Sequence, residues 1–219
     1  MKQMKKVLCL ALGLAMSLSL LAACSGGGSA SPSPSASAPA PSASAPAESG
    51  LTTVEAGKLH MSTNAAFPPY EMVKDDGTFE GIDVEVAGAI AQKLGLELVV
   101  DDMGFDAALL AAQNGQSDIV MAGVSVTPDR QEVMDFSDSY YTALQTIIVR
   151  ADSAYTSLAD IKDKGLKIGG QSGTTGLTEA EGLTDKDKAI GYTNGALAVQ
   201  DLINGNLDVV IIDNNPAKE

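Results

Sequence analysis

The 219-residue chain is acidic, with 28 aspartates and glutamates against 14 lysines and arginines and a formal net charge of −14. Because nucleic-acid binding draws on clustered positive charge, this balance excludes nucleic acid as an expected partner. Beyond a low-complexity start, about 170 residues remain, which is enough for one large domain or two lobes.

Residues 1–23 are predicted to form a signal peptide. Three lysines within the first six residues precede an apolar run over 7–20, and Leu-Ala-Ala stands directly before Cys24. An uncleaved membrane helix is the weaker alternative, because the run is short and polar low-complexity sequence follows at once.

Cys24 stands at a predicted lipidation site. The segment 21–24 resembles a bacterial lipobox, which implies cleavage before Cys24 and diacylation of its thiol. Cys9 would leave with the signal peptide, so the body would contain no disulfide and no thiol-based or cysteine-ligated metal site. Residues 24–50 are dominated by Ser, Ala, Pro and Gly, which predicts a tether between a membrane surface and the folded body.

The folded body is predicted to alternate between strands and helices, with lobe 1 over 51–142 and lobe 2 over 143–219. In lobe 1, Asp83 and Asp106 are the expected N-caps of two helices that end at Gly95 and Gly115. The expected strands of lobe 1 cover 58–63, 96–101 and 118–122, with a turn at 75–77.

Lobe 2 is predicted to repeat this alternation. Its expected strands cover 145–149, 166–169 and 208–212, and its expected helices cover 195–204 and a short turn capped by Ser157 and Asp160. Residues 114–120 and 204–210 share an Asn-Gly, two-residue, Asp, β-branched pattern between a helix and a strand. This echo favours two parallel-sheet α/β lobes, in which ligands bind beyond the carboxyl ends of the strands.

Arg130 stands where electrostatics disfavours a cation. Thr127 followed by Pro128 marks the start of a helix, and the N-terminal end of a helix carries partial positive charge. The conflict eases if an anion docks there, because backbone N–H groups and the guanidinium would converge on one carboxylate or phosphate. The alternative is an arginine that extends into solvent.

Asp213 ends the last predicted strand, so a cation and an anion would flank a cleft between the lobes. Arg130 on one side and Asp213 on the other complement a zwitterion, of which an α-amino acid is the simplest. The alternative for Asp213, in the sequence Asp-Asn-Asn-Pro, is a turn aspartate that bonds its own backbone.

Other residues near this cleft have both a ligand role and a structural alternative. In the glycine-containing loop 170–175, Thr174 or Thr175 would hold a carboxylate or simply cap a helix. Phe67 would cover the ligand or plug a loop, and Phe105 would cover it or pack on Leu110 as a hydrophobic staple.

Several motifs in the same order resemble the family 3 extracellular solute-binding proteins of amino-acid ABC transporters. The matching segments are 67–71, 81–85, 122–130, 135–141, 173–175 and 211–213. The resemblance implies an α/β, bilobal periplasmic-binding-protein fold (type II, Venus-flytrap), with two parallel-rich sheets flanked by helices. It also implies closure on one amino acid, with a hinge at the crossing 141–149.

The resemblance further implies a role for each site residue. Arg130, Ser125 and Thr175 would hold the α-carboxylate, and Asp213 and the Gly123 carbonyl would bind the α-ammonium. Phe67 and Phe105 would enclose the side chain. Asn64 and Gln171 would face its polar end, and because binders of basic amino acids often carry an acid where Asn64 stands, we expect a neutral polar ligand.

These features predict a monomeric, lipid-anchored receptor on the extracytoplasmic face of the cell membrane. It would deliver its amino acid to an ABC permease, whose ATPase must be a separate protein because the chain lacks a phosphate-binding Gly-rich loop with Lys-Ser/Thr. We expect no cofactor, no metal and no catalytic residue. The alternatives are a dehydratase-like enzyme on the same scaffold, with Glu71 and Asp83 as candidate acids, and a ligand sensor.

The last residues of the chain, 215–219, stand where the family normally continues for several dozen residues. We therefore expect the sequence to be truncated at its C-terminus.

Overall fold

The structure is a computed structural model that describes residues 51–219. The predicted signal peptide, Cys24 and tether lie outside the described residues. No helix within 51–219 is long and apolar enough to cross a membrane.

The first sheet has three parallel strands. Strand β1 (Lys58–Thr63) lies between β5 (Glu97–Asp102) and β6 (Ile119–Val120). The pairing of β1 with β5 runs from Lys58 opposite Glu97 to Thr63 opposite Asp102. Two helices cover this sheet, and its core includes Met61, Ala87 and Met121. The elements are β1 (Lys58–Thr63), α1 (Ile82–Leu94), β5 (Glu97–Asp102), α2 (Phe105–Gln113), β6 (Ile119–Val120) and the short α3 (Pro128–Gln131).

A small antiparallel sheet lies between β1 and α1 in the chain. It consists of β2 (Ala66–Phe67), β3 (Glu71–Val73) and β4 (Phe79–Glu80). The sequence predicted only its turn at 75–77, which the structure confirms with a hydrogen bond from the Gly77 N–H to the Lys74 carbonyl (2.9 Å). This sheet carries two residues of the site, Phe67 and Glu71.

The second sheet has four strands. Their order across the sheet is β7 (Gln145–Ile148), β10 (Val209–Asp213), β8 (Ile168–Gln171) and β9 (Ala189–Tyr192). β7 is antiparallel to β10, while β10, β8 and β9 are parallel. Its core includes Ile168, Val209 and Ile211 on one face. The elements are β7 (Gln145–Ile148), a 3₁₀ turn (Leu158–Asp160), β8 (Ile168–Gln171), α4 (Thr175–Leu183), β9 (Ala189–Tyr192), α5 (Gly195–Ile203), β10 (Val209–Asp213) and a 3₁₀ turn (Pro216–Lys218).

Both predicted aspartate caps are wrong. Helix α1 begins at Ile82 with Gly81 as its N-cap, so Asp83 lies inside the first turn. The Asp83 carboxylate is buried and instead accepts hydrogen bonds from the Gly123 N–H and the Tyr140 hydroxyl, both at 2.8 Å. Asp83 therefore binds residues that are distant in the chain instead of capping its own helix.

Helix α2 likewise begins at Phe105 after Gly104, without a side-chain cap from Asp106. Phe105 is 7% exposed and packs with Leu109 and Ala122. The predicted staple on Leu110 is wrong, because Leu110 is 53% exposed. Burial of Phe105 at the first helical position thus decides where the helix starts.

For α4 the sequence predicted only a possible helix start at Thr174 or Thr175; it missed β9 and placed β8 two residues too early. The sequence of α4, Thr-Gly-Leu-Thr-Glu-Ala-Glu-Gly-Leu, combines two glycines and two threonines, so its helix propensity is low. Burial of Gly176, Ala180 and Leu183 against the sheet stabilises it instead. In β8, two adjacent glycines weaken the strand pattern.

Candidate functional site

One cleft collects all ten residues that the sequence analysis assigned to a ligand. It lies between the two sheets and contains about 470 Å³ of space not occupied by protein atoms, part of it open to solvent. The predicted residues that line it are Asn64, Phe67, Phe105, Gly123, Ser125, Arg130, Gln171, Thr174, Thr175 and Asp213. Their contact with a ligand remains a prediction.

Arg130 projects into this cleft rather than into open solvent. Thr127 is the N-cap of α3, as predicted, and its hydroxyl accepts from the Arg130 backbone N–H (3.3 Å). The guanidinium donates to the Ser125 carbonyl (2.8 Å) and to the Gly173 carbonyl (2.9 Å), and it lies 5.5 Å from the centre of the Phe105 ring. Burial lowers the pKa of Arg130, and nearby Asp106 opposes this shift.

Carbonyl dipoles and an aromatic face therefore hold the guanidinium, and none of these contacts is a carboxylate. Its positive charge remains available to an anion in the cleft. The alternative of a solvated arginine does not fit this arrangement.

Asp213 is the last residue of β10 and is 7% exposed. Its carboxylate accepts a hydrogen bond from the Gln145 side-chain amide rather than from its own turn. Burial raises the pKa of Asp213, and the hydrogen bond from Gln145 opposes this rise. The cleft thus has a buried acid on the second sheet, as the sequence predicted.

Gln145 is a cleft residue that the sequence analysis missed. It lies opposite Asp213 in the antiparallel register of β7 and β10, and its amide also donates to the Thr175 hydroxyl (3.0 Å). A glutamine at the start of a strand that ends in two isoleucines was the available signal. Gln145 thus links the side chains of Asp213 and Thr175 by hydrogen bonds.

The two candidate threonines differ in what they do. Thr174 is the N-cap of α4, since its hydroxyl accepts from the Leu177 N–H (3.4 Å) and donates to the Gln171 carbonyl (2.7 Å). The alternative role from the sequence analysis, a helix cap, therefore holds for Thr174. Thr175 is the first residue of α4, where backbone N–H groups lack intrahelical partners and favour an anion.

Two amide side chains join the sheets at the other end of the cleft. The Gln171 amide donates to the Asn64 side-chain oxygen (2.7 Å) and to the Thr193 carbonyl (3.0 Å). The Asn64 amide donates to the Met103 carbonyl (2.8 Å). These bonds place two neutral polar groups where the sequence analysis expected a polar ligand end.

Glu71 is a second cleft residue that the sequence analysis did not assign to the ligand. It is 1% exposed, and its carboxyl group lies beside that of Asp83. Burial, together with the nearby Asp83 carboxyl, raises the pKa of Glu71 to about 10. Burial also raises the pKa of Asp83, which its hydrogen bonds from Gly123 and Tyr140 oppose.

Gly173 lies where the loop before α4 meets α2, and it has φ +75°. A Cβ at Gly173 would overlap the Asp106 carboxylate. We expect Gly173→Ala to weaken ligand binding by roughly tenfold. The added Cβ would lower the population of the arrangement in which the loop at Gly173 lies against Asp106 of α2.

Gly205→Ala is the matched control, since Gly205 has φ +78° and nothing within 4 Å of an added Cβ. Both variants carry the cost of a left-handed alanine, but only Gly173→Ala should lower affinity measured by calorimetry. Equal affinities in the two variants would show that the approach of residue 173 to Asp106 does not limit ligand binding.

Comparisons with known proteins agree with this geometry. Residues 59–215 match the bacterial extracellular solute-binding proteins, family 3. Over 174 residues the chain is 35% identical to a probable histidine-binding protein of Neisseria gonorrhoeae, covering 74% of the chain and 65% of that protein. The chain spans between 44% and 66% of the lengths of the first curated relatives it matches.

Solved structures are similar over the same region. An ancestral arginine-binding protein bound to glutamine is 36% identical, with a TM-score of 0.69 over 75% of this chain and 72% of that chain. An ancestral amino acid-binding protein, a precursor of cyclohexadienyl dehydratase, is 34% identical, with a TM-score of 0.69 over 74% and 72%. This likeness confirms the predicted bilobal α/β class with two parallel-rich sheets flanked by helices.

Proposed function

Because the chain belongs to the family 3 bacterial extracellular solute-binding proteins, we propose that its cleft binds one α-amino acid for uptake by an ABC transporter. The observation that carries this proposal is that Arg130 and Asp213 line the same cleft. A ligand with a carboxylate at one end and an ammonium at the other satisfies both charges without leaving either buried and unpaired.

The carboxylate of the ligand would lie between Arg130, Ser125 and Thr175. This end combines a guanidinium with the N-terminal turn of α4, two features that both favour an anion. The ammonium would lie against Asp213 and the Gly123 carbonyl. Phe67 and Phe105 would enclose the side chain and exclude water from the charge pairs.

The side chain of the ligand is proposed to be neutral and polar. Asn64 and Gln171 supply amide groups at the end where it would lie, and neither is an acid. The ancestral arginine-binding protein was solved with glutamine, which supports an amide side chain as a ligand for this architecture. The relative named for histidine makes a basic ligand the competing outcome.

The family places the protein outside the cytoplasm. We further propose that Cys24 carries the lipid anchor, that residues 24–50 form the tether, and that the partners are an ABC permease and its separate ATPase. Mass spectrometry of the membrane-bound protein should find a diacylated N-terminal Cys24. An unmodified, freely secreted protein would contradict the anchor but not the binding function.

The enzyme alternative has one supporting observation, the likeness to a precursor of cyclohexadienyl dehydratase. That precursor is itself an amino acid-binding protein, and this chain's family consists of solute-binding proteins. Turnover of a prephenate-like compound by the purified protein would reverse the ranking.

A thermal-shift panel of the twenty amino acids tests the proposal. A ligand at 100 times its dissociation constant stabilises the folded state by about 2.7 kcal/mol, so the cognate amino acid should raise the unfolding midpoint by several degrees. We expect the largest shifts from neutral polar amino acids. A larger shift with arginine or lysine would correct the side-chain preference, and no shift with any amino acid would contradict the function.

A further inference from the structure

The backbone of residues 122–126 forms part of the cleft wall without belonging to a helix or a strand. It follows β6, and both Gly123 and Ser125 line the cleft. Within the described part of the chain, only two hydrogen bonds hold the backbone of this segment. The Gly123 N–H donates to the Asp83 carboxylate (2.8 Å). Arg130 donates to the Ser125 carbonyl (2.8 Å), so each end of the wall depends on one side chain.

Gly123 needs an external contact because glycine does not fix its own orientation. Its φ is +57°, in the left-handed region, and an added Cβ would lie 2.9 Å from a ring carbon of Phe67. Glycine has more conformational freedom than any other residue, so its position must be set by its neighbours. The Phe67 ring limits the space on one face, and the bond to Asp83 fixes the peptide group that precedes Gly123.

The surroundings of Asp83 indicate positioning rather than ion pairing. The residue is fully buried in the first turn of α1, where the helix dipole favours a negative charge. Among residues 51–219 no lysine, arginine or histidine forms an ion pair with it. Burial raises its pKa, and hydrogen bonds from Gly123, Tyr140 and Glu71 oppose this rise. The donors to this carboxylate are therefore neutral groups.

These donors also fix the direction of the Asp83 carboxylate. One oxygen accepts from the Gly123 N–H and the other accepts from the Tyr140 hydroxyl (2.8 Å). Because the two oxygens bind different partners, a rotation of the carboxylate would break both bonds. Tyr140 lies on the segment between α3 and β7, and Glu71 lies on β3. The place of Gly123 is thereby tied to parts of the fold that are distant from it in the chain.

We propose that Asp83 is a positioning residue for ligand binding: it does not touch the ligand, but it holds Gly123 where its carbonyl can reach the ligand's α-amino group. The inference rests on the proposed amino-acid function and extends it to a buried residue outside the set that lines the cleft. Since Arg130 holds the other end of the wall independently, loss of Asp83 should weaken the contact at Gly123 more than the contact with the ligand's carboxylate.

The test measures the affinity of Asp83→Ala and Asp83→Asn for matched ligands by calorimetry. L-glutamine is paired with glutaramic acid, and L-arginine with 5-guanidinopentanoic acid; the second member of each pair lacks only the α-amino group. Alanine removes the acceptor for the Gly123 N–H, so affinity should fall about tenfold or more for the amino acids and less than about threefold for the analogues. Asparagine keeps an oxygen for Gly123 and can donate its amide to the Tyr140 oxygen, so all affinities should stay within about threefold of wild type.

Asp118→Ala is the matched control. The Asp118 carboxylate also accepts from two backbone N–H groups, those of Val54 (2.8 Å) and His60 (2.7 Å), but it precedes β6 and does not line the cleft. Its loss should lower the unfolding midpoint and leave the affinities for amino acid and analogue unchanged. Ligand-free thermal unfolding of every variant separates a displaced wall from a lost fold.

The Gly123 amide tests the inference in the wild type alone, including the case in which Asp83→Ala does not fold. Amides outside helices and strands exchange quickly with solvent unless another group holds them. The Val124 and Ser125 amides donate no hydrogen bond within residues 51–219. By NMR, the Gly123 amide should therefore exchange at least about tenfold more slowly than these two, and its proton resonance should shift in Asp83→Asn. An unprotected Gly123 amide would overturn the inference.

Three affinity results would overturn it as well. Equal losses for amino acid and analogue in Asp83→Ala would show a general loosening of the cleft. A loss in Asp83→Asn as large as in Asp83→Ala would show that the charge of Asp83 matters and not its hold on Gly123. A selective loss in Asp118→Ala would show that the effect is not specific to Asp83. If the wild type binds no amino acid, the proposed function fails; if it binds but Asp83→Ala binds equally well, only this inference fails.

Discussion

Replacement of Arg130 with alanine is expected to abolish amino-acid binding while the protein stays folded. The guanidinium is the cation at the expected carboxylate end, and its removal would leave a buried carboxylate without a charged partner. Breaking a buried ion pair in this way costs about 3–5 kcal/mol, which corresponds to a loss of affinity of roughly 10²–10⁴-fold.

The fold should tolerate the change, because the side chain of Arg130 contacts two carbonyls and an aromatic ring at the cleft rather than a core. Arg130→Lys keeps the charge but loses the two-pronged geometry, so we expect an intermediate affinity. Calorimetric titration measures the amino-acid affinity of the wild type, Arg130→Ala and Arg130→Lys.

Arg150→Ala is the matched control for Arg130→Ala. Arg150 donates to the Leu202 and Leu207 carbonyls at the end of α5 (3.1 and 2.8 Å) and does not line the cleft. Its loss should lower the unfolding midpoint and leave affinity unchanged. If Arg130→Ala retained affinity, or if both variants lost it equally, the anion site at Arg130 would be wrong.

Replacement of Glu71 with glutamine is expected to stabilise the folded protein at neutral and alkaline pH. The pKa of Glu71 is 4.5 without the fold and about 10 within it. Between these values the folded state holds a proton that the unfolded chain has released, so the stability of the wild type falls as pH rises. Glutamine carries no such proton and escapes this loss.

The difference between Glu71→Gln and wild type should be smallest near pH 4, below the unfolded pKa. It should grow by at most about 1.4 kcal/mol per pH unit and reach roughly 3 kcal/mol near pH 7. Urea unfolding from pH 4 to pH 9 measures it. Glu179→Gln, at an exposed position of α4, is the control and should show no such divergence.

A constant difference across this range would mean that Glu71 titrates alike in the folded and unfolded states. A wild type that gains stability over the variant with rising pH would mean that Glu71 is ionised in the fold.

Local signals predicted those elements whose ends depend on neighbouring residues in the chain. Thr127 and Pro128 identified the start of α3, and Gly95 identified the end of α1 in a left-handed conformation. Asp83 failed as a cap because Gly123 and Tyr140, distant in the chain, bind its carboxylate. Only the possible start of α4 was predicted, because burial of Gly176, Ala180 and Leu183 stabilises this helix, which propensity does not reveal.

The cleft residues were predictable for two different reasons. The electrostatic conflict at Arg130, the strand end at Asp213 and the helix start at Thr174 or Thr175 followed from the residues themselves, whereas the roles of Asn64 and Gly123 followed from the family resemblance. Gln145 was not predicted at all, and Glu71 was considered only as a candidate acid of the enzyme alternative, not as a residue of the binding cleft. Their place in the cleft depends on the pairing of β7 with β10 and on the small sheet of β3, which no local pattern indicated.

The central claim is that the cleft recognises the two charges of an α-amino acid. Calorimetry should compare the tightest-binding amino acid of the panel with its α-carboxamide, which lacks the negative charge, and with its analogue lacking the α-amino group. We predict that each analogue binds at least about a hundredfold more weakly than the amino acid. Comparable affinities for all three would contradict the pairing of Arg130 and Asp213 with a zwitterion.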